Sequence, residues 1–185
     1  NQADYLGEAL QSVLDQTLTD WEAIVVNNYS SDHTVEVFEA FKDSRFQLIN
    51  FSNNGIIGAS RNVGIKKAKS PWVAFLDSDD TWYPAKLELC MKETDGADII
   101  NHRIELVKNN CVVNKSLLVK ERDFLYRNLI LKRNCITTSA TIVRKTLMDE
   151  VGGFSEKKEF VIAEDFDLWL KMSSKHARLR FNSKV

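Results

Sequence analysis

The chain is poor in residues that interrupt structure: 2 prolines and 7 glycines occur among 185 residues, while 44% of residues are apolar. That balance excludes collagen-like, low-complexity and disordered classes. Long hydrophobic runs are missing as well. Stretches such as Ala23-Ile24-Val25-Val26 and Trp72-Val73-Ala74-Phe75-Leu76 stop far short of the ~20 residues that cross a bilayer, so no transmembrane segment is expected. Charge of one sign is not in excess: 25 Lys+Arg against 26 Asp+Glu give −1, which leaves no global basic field for nucleic acid or anionic lipid. Cysteine is scarce, and Cys90, Cys111 and Cys135 form no C-x-x-C pair. A disulfide framework and a zinc site are therefore not indicated, and a reducing, cytoplasmic compartment fits best. What remains is an ordered globular chain whose length allows one sizeable core, burying roughly 70% of the unfolded surface. The chain opens on Asn1-Gln2-Ala3-Asp4 without a starting Met or signal peptide, and reads as cut from a longer protein.

Tyr5, Leu6, Ala9, Leu10, Val13 and Leu14 recur on one face of a helix. Trp21 to Val26 reads as a buried strand that empties into the polar loop Asn27-Asn28-Tyr29-Ser30-Ser31-Asp32, where Ser31 or Asp32 can cap the next helix. That helix carries Val37, Phe38 and Phe41 and precedes a strand from Phe46 to Phe51. A loop, Asn53 to Gly58, leads to a helix from Ala59 to Ala68 with Val63 and Ile65 inward, closed by Ser70-Pro71. The strand Trp72 to Leu76 then ends abruptly in Asp77-Ser78-Asp79-Asp80. Such alternation predicts an α/β domain with a mainly parallel sheet and helices on both faces, whose ligands sit at the carboxyl ends of the strands. The second half predicts a helix from Pro84 to Glu93, a strand from Ala97 to Val107, and a hairpin turning at Lys108-Asn109-Asn110 into Cys111-Val112-Val113. It further predicts a helix from Glu121 to Leu131, a strand from Ser139 to Val143, a short helix before Gly152-Gly153-Phe154, and a helix that starts at Glu164 and Asp165. With no repeat and no linker, residues 1–185 form one domain.

The acids at 77, 79 and 80 are the first candidates for chemistry. Carboxylates so close in sequence repel unless a cation or water relieves them, and hard divalent ions prefer oxygen ligands. A solvated acidic loop capping the next helix is the plainer alternative. Glu164 and Asp165 could merely favour a helix dipole, an effect of a few tenths to about 1 kcal/mol. Arg61 could place a guanidinium near the loop edge or make a structural ion pair. His33, His102 and His176 show no ligand spacing and read as surface or packing residues.

Taken in order, Tyr5 to Thr17, Ile24 to Thr34, Gly58-Ala59-Ser60-Arg61-Asn62-Val63-Gly64, Phe75 to Asp80, Gly152-Gly153-Phe154 and Glu164 to Trp169 resemble the family-2 inverting glycosyltransferases of the GT-A fold over nearly the whole chain. The resemblance implies metal-dependent transfer of a sugar from a nucleotide-diphospho-sugar, UDP-linked by preference, to the hydroxyl of a glycan or lipid-linked acceptor, in polysaccharide or cell-envelope synthesis. It makes Asp77 and Asp79 the D-x-D acids that hold Mg²⁺ or Mn²⁺ and the donor, with Asp80 supporting. Asp165 becomes the general base and Glu164 its helper. A cytoplasmic setting, peripheral at the inner face of a membrane, goes with it.

Two departures stand out. Asn27 and Asn28 replace a pair of acids that in the family receives the nucleotide base; an Asn carbonyl still accepts a hydrogen bond, without charge assistance. The family's first strand, expected just before Asn1, is missing, and the domain is read as truncated there and at its C-terminus. Asp77-Ser78-Asp79-Asp80-Thr81 also fits the D-x-D-x-T of haloacid-dehalogenase-type phosphotransferases, with Asp77 as nucleophile and Asp79 as acid/base. That family places the motif on its first strand, whereas two strands precede it here. A nucleotide-sugar-binding module without turnover is the third reading.

Overall fold

The computed structural model describes residues 1–108, 111–115, 120–132 and 134–185. Helices α1 (Ala3–Leu14), α2 (Thr34–Ala40) and α3 (Ile57–Lys67) alternate with strands β1 (Ala23–Asn27), β2 (Phe46–Asn50) and β3 (Trp72–Ala74). Then come α4 (Lys86–Met91), β4 (Ile99–His102), β5 (Glu105–Lys108), β6 (Cys111–Lys115), α5 (Tyr126–Lys132), β7 (Thr141–Arg144), α6 (Lys145–Val151), α7 (Glu164–Ser174) and β8 (Leu179–Asn182). The apolar stripe of α1 does what its spacing implies. Leu6, Leu10 and Val13 are buried with Phe46, and Phe38 and Phe41 pack beside them. A larger core holds Ile99, Leu129, Ile136, Val143, Leu168 and Trp169. Asp32 accepts the Thr34 N–H at the start of α2 (3.2 Å) and the Ala3 N–H at the start of α1 (3.2 Å), so both helices begin at one edge.

The sheet is mixed where a mainly parallel one is expected. β1 pairs with β2 in parallel from Ala23↔Phe46 to Asn27↔Asn50. A second sheet runs β3-β7-β4-β8, with β7 antiparallel to both neighbours and β4 parallel to β8. The reason lies in the chain's route. The backbone N–H of Asp77 bonds the Ser139 hydroxyl (3.0 Å), so β7 starts where β3 ends and can only run back.

Between β1 and β3 lies an open groove of about 1040 Å³. Glu22 accepts the N–H groups of Lys69 and Ser70 at one end (2.6 and 3.2 Å). Asn27 and Asp77 line the other end, so the two strands run the same way. Ala23 and Asn27 bond to β2 flanks, so alternation turns the peptide groups of Ile24 and Val26 toward the groove. On the facing wall Pro71 and Phe75 bond β7, which turns Trp72 and Ala74 inward. Peptide groups on both walls of an apolar groove require a strand or water to satisfy them.

Other boundaries differ for local reasons. β3 ends at Ala74 because past it only the Phe75 N–H reaches β7, at Thr141 O (3.3 Å). The run from Ala97 to Val107 divides into a buried β4 and an exposed β5 that, among the described residues, pairs only with β6. The hairpin's turn residues 109 and 110 lie outside the described residues. The helix expected from Glu121 to Leu131 breaks at Leu125, which is extended (ψ 135°) between a 3-10 turn and α5. Residues 138–140 form a 3-10 turn ahead of β7, and α4 is shorter than Pro84–Glu93. In α3 the buried face is Gly58, Ala59, Asn62 and Ile65, with Val63 only half-buried.

Candidate active site

The lip of the groove is where the chemistry-bearing residues meet. Arg61, on α3, donates from one guanidinium nitrogen to Asp77 Oδ1 (2.8 Å) and from the other to Glu164 Oε1 (2.9 Å). The Arg61 and Glu164 side chains are 16% and 10% exposed, against 42% for Asp77, so the inner pair is shielded and the outer acid meets solvent. Two carboxylates share one fixed positive charge. The end of β3 and the start of α7 are thereby joined, and both candidate meanings of Arg61 hold at once: it is an ion pair, and it lies at the lip.

Arg61 is aimed by its neighbours. Asn62 donates to Phe154 O (2.9 Å) and Glu156 Oε1 (2.8 Å) and accepts the Phe154 N–H (2.9 Å). This close seat needs two glycines. A Cβ on Gly58 would stand 2.6 Å from Ser155 O, and one on Gly153, already at φ +70°, would stand 2.5 Å from Asn62 Oδ1. The Arg61 guanidinium also lies 5.2 Å from the Phe154 ring centroid.

Ser139 organises the acidic loop. Its hydroxyl receives the Asp77 N–H and hydrogen-bonds the Asp80 carboxyl, while its carbonyl accepts from Trp82 Nε1 (2.9 Å). The Asp80 carboxyl is raised above the usual carboxylate range, first by lost hydration and then by the charges of Asp77 and Asp79, against the Ser139 bond. Asp80 is exposed as a residue; the neighbouring protein that thins its hydration does not cover it. Beneath the loop Lys86 is fully buried with Nζ 3.2 Å from the Trp82 ring centroid, and burial lowers it to about 7. Among the described residues no three His, Cys, Asp or Glu side chains form a metal cage. The oxygen donors at 77 and 79, with the Asp80 carboxyl beside them, could hold a hard cation that takes its remaining ligands from phosphate and water.

Asp165 occupies the first turn of α7, half-buried. Its Oδ1 accepts the Phe166 N–H (2.6 Å) and its Oδ2 accepts from Asn134 Nδ2 (2.9 Å). Burial is the largest influence and raises its pKa; the two hydrogen bonds and Arg61 pull down, and Glu164 pushes up. Asn27 and Asn28 both line the groove, with different fates. Asn27 spends its amide on the fold, donating to Asn50 Oδ1 (2.8 Å) and accepting the Ser30 N–H (3.1 Å). Asn28 is exposed and accepts the Asn53 N–H (3.0 Å).

Ser139, Asn134 and Lys86 escape a reading of the sequence because nothing in Thr137-Thr138-Ser139-Ala140 or Arg133-Asn134-Cys135 marks a contact to residues far along the chain. The histidines lie apart from the acids. His33 pairs with Glu36 on the surface, and burial lowers His102 to about 4. A second hollow of about 420 Å³, near Gln11, Leu14 and Phe41, lies by the far ends of α1 and α2.

Solved structures share this fold. S. aureus TarS 1-349, crystallised in complex with UDP, matches with a TM-score of 0.82 and 26% identity over 100% of this chain and 56% of its own. A mannosyltransferase of Pyrobaculum calidifontis, in complex with GDP-Man and Mn²⁺, matches at 0.72 over 100% of this chain and 52% of its own, and at 19% identity speaks for the fold alone. The protein is thus an α/β domain of the GT-A glycosyltransferase class, as expected. The family model for glycosyl transferase family 2 matches residues 1–152, and the chain belongs to that family. A relative in Escherichia coli, UDP-Glc:alpha-D-GlcNAc-diphosphoundecaprenol beta-1,3-glucosyltransferase WfgD, is 35% identical over 171 residues, 90% of this chain and 64% of its own. The putative teichuronic acid biosynthesis glycosyltransferase TuaG of Bacillus subtilis is 37% identical over 90 residues, 48% of this chain and 36% of its own. The chain therefore spans about two thirds or less of these relatives. The family match sets aside the phosphotransferase reading of Asp77, as do the two strands ahead of β3.

Proposed function

We propose that the protein transfers a sugar from a UDP-sugar to an acceptor hydroxyl with inversion, in the synthesis of a cell-envelope glycan. The observation that carries this reading is the Arg61 bridge, which unites acids 87 positions apart in one lip. Asp165 takes the proton of the acceptor hydroxyl while that oxygen forms a bond to the anomeric carbon. The carbon's bond to the diphosphate breaks on the opposite face, and the electron pair leaves with the nucleotide. One base suffices for such a displacement. Glu164, held by Arg61, fixes the approach to Asp165, and Asp77 and Asp79 hold the donor end. A Mg²⁺ or Mn²⁺ ion bound by those two acids would neutralise charge growing on the diphosphate. Asn28, open where Asn27 is committed, is the residue that meets the base. A relative named for teichuronic acid biosynthesis supports an envelope setting, and one named for a diphosphoundecaprenol acceptor supports a lipid-linked acceptor. The reaction is placed, as part of this proposal, in the cytoplasm at the inner face of a membrane. No helix among the described residues is long and apolar enough to cross one.

The groove between β1 and β3 supports a further point. We propose that a strand preceding Asn1 fills it, parallel to both walls, since Asn1 lies at the lip and α1 would then make the crossover to β1. The decisive experiment uses the full-length protein. UDP-glucose with Mn²⁺ should raise its melting temperature, and Asp79→Ala should remove that gain while leaving the unliganded melting temperature in place. Equal affinity in the variant overturns the donor role of the loop. Binding without transfer to any lipid-linked acceptor points to a nucleotide-sugar-binding module.

A further inference from the structure

The contact between Asn134 and Asp165 has a chemistry of its own. Asn134 lies after α5, 31 positions from Asp165, and donates Nδ2–H to Asp165 Oδ2 at 2.9 Å. Its amide is fixed from the other side, because Oδ1 accepts the N–H of Ile136 at 3.0 Å. That turn is anchored in turn: Ile136 is buried in the main core with Leu129 and Trp169. The orientation of the amide is forced by valence, since a peptide N–H must meet Oδ1 and an ionised carboxylate can only accept, from Nδ2.

Around Asp165 the charges are shared out in a particular way. Arg61, whose charge lowers the Asp165 pKa, spends its fork on Glu164 and Asp77 and, among the described residues, makes no ion pair with Asp165. Glu164 adds negative charge beside it, and Asp167, two residues beyond Asp165, pairs with Lys171 (3.0 Å). A carboxylate clamped directly by arginine has its pKa lowered by about 1–3 units and becomes a poor base. A neutral amide fixes the same oxygen with far less loss of basicity. Oδ1 accepts the Phe166 N–H and Oδ2 accepts from Asn134, so among the described residues each oxygen keeps a second lone pair to receive a proton, and the Asn134 bond fixes the plane in which it is offered.

We propose that Asn134 is a positioning residue: it orients the Asp165 carboxylate for proton abstraction and holds it without neutralising its charge. This rests on Asp165 being the base of the transferase reading. The test uses the full-length protein with UDP-glucose and Mn²⁺, with UDP release to water as the readout, so that no acceptor is needed. Asn134→Ala should lower kcat about tenfold at unchanged KM for UDP-glucose, the scale of one hydrogen bond to a charged group. Asn134→Asp, nearly identical in shape, sets a second acid beside the base and should move the acid limb of the pH–rate profile upward by about one unit or more. In an Asp165→Asn background Asn134→Ala should have no further effect. A parallel titration of the Asp165 carboxyl carbon by NMR does not depend on turnover. An unchanged midpoint in Asn134→Asp, or a loss in Asn134→Ala that falls on KM instead of kcat, overturns the inference. A shifted midpoint in a protein that releases no UDP overturns the transferase reading and leaves the positioning contact standing.

Discussion

The seat of α3 on the 152–155 turn predicts a large difference between two adjacent glycines. Gly152 and Gly153 both have positive φ, 76° and 70°, so an alanine at either meets the left-handed backbone penalty, about 1–2 kcal/mol. Their surroundings differ. Nothing lies within 4 Å of a Cβ on Gly152, whereas one on Gly153 would stand 2.5 Å from Asn62 Oδ1. Asn62 must then move and release the buried Phe154 N–H that it accepts at 2.9 Å, which adds about 1–3 kcal/mol for an unsatisfied buried group. Gly152→Ala should therefore lose about 1–2 kcal/mol and Gly153→Ala about 2–5 kcal/mol. For a chain of 185 residues each kcal/mol lowers Tm by about 2–4 °C, so the two variants should separate by several degrees in a thermal melt. The same displacement tilts α3 and moves Arg61 away from Asp77 and Glu164, so Gly153→Ala should also weaken UDP-glucose binding. Equal melting temperatures for the two variants would refute the argument that a steric seat, and not φ alone, sets the position of Arg61.

Other outcomes follow from the same geometry. Asp165→Asn should cut transfer by about 10²–10⁴ while donor binding persists, the usual contribution of a general base; undiminished turnover removes Asp165 from that role. Because the folded pKa of Asp165 is raised, the native state holds its proton to higher pH than the unfolded chain, and stability is lost as pH rises through the folded value. Asp165→Asn should accordingly melt higher than the parent at pH 7, with the gain vanishing below the unfolded carboxylate pKa of about 3.9; a lower melt at pH 7 counts against a buried, raised acid. Hydrogen exchange should find the Ile24, Val26 and Ala74 amides protected in a protein whose groove holds a strand, and rapid exchange in full-length protein would leave that groove without its proposed occupant.

Much of the first half was legible in the chain because its information is local. Leu6, Leu10 and Val13 announce a helix face, Ala23 to Val26 a buried strand, and the abrupt passage from Leu76 to Asp77 marks a strand end carrying acids. The order of these pieces also carried the resemblance to family 2, which the comparisons bear out. In the second half the same rules misplace ends. Leu125 is extended inside an apolar helical pattern, and β4 and β5 share one apolar run but take different partners.

The sequence by itself determined which residues are acidic, in what order, and on which kinds of element they ride, since periodicity and abrupt changes of polarity act within a few residues. Only the tertiary structure decided that Arg61 would join Asp77 to Glu164, that Ser139 would hold the acidic loop, and that Asn134 would reach Asp165. Those contacts link residues 16 to 103 positions apart. Each is set by how α3, β7 and α7 pack, and a side chain's partner at that range depends on a few ångström of packing that no local pattern encodes.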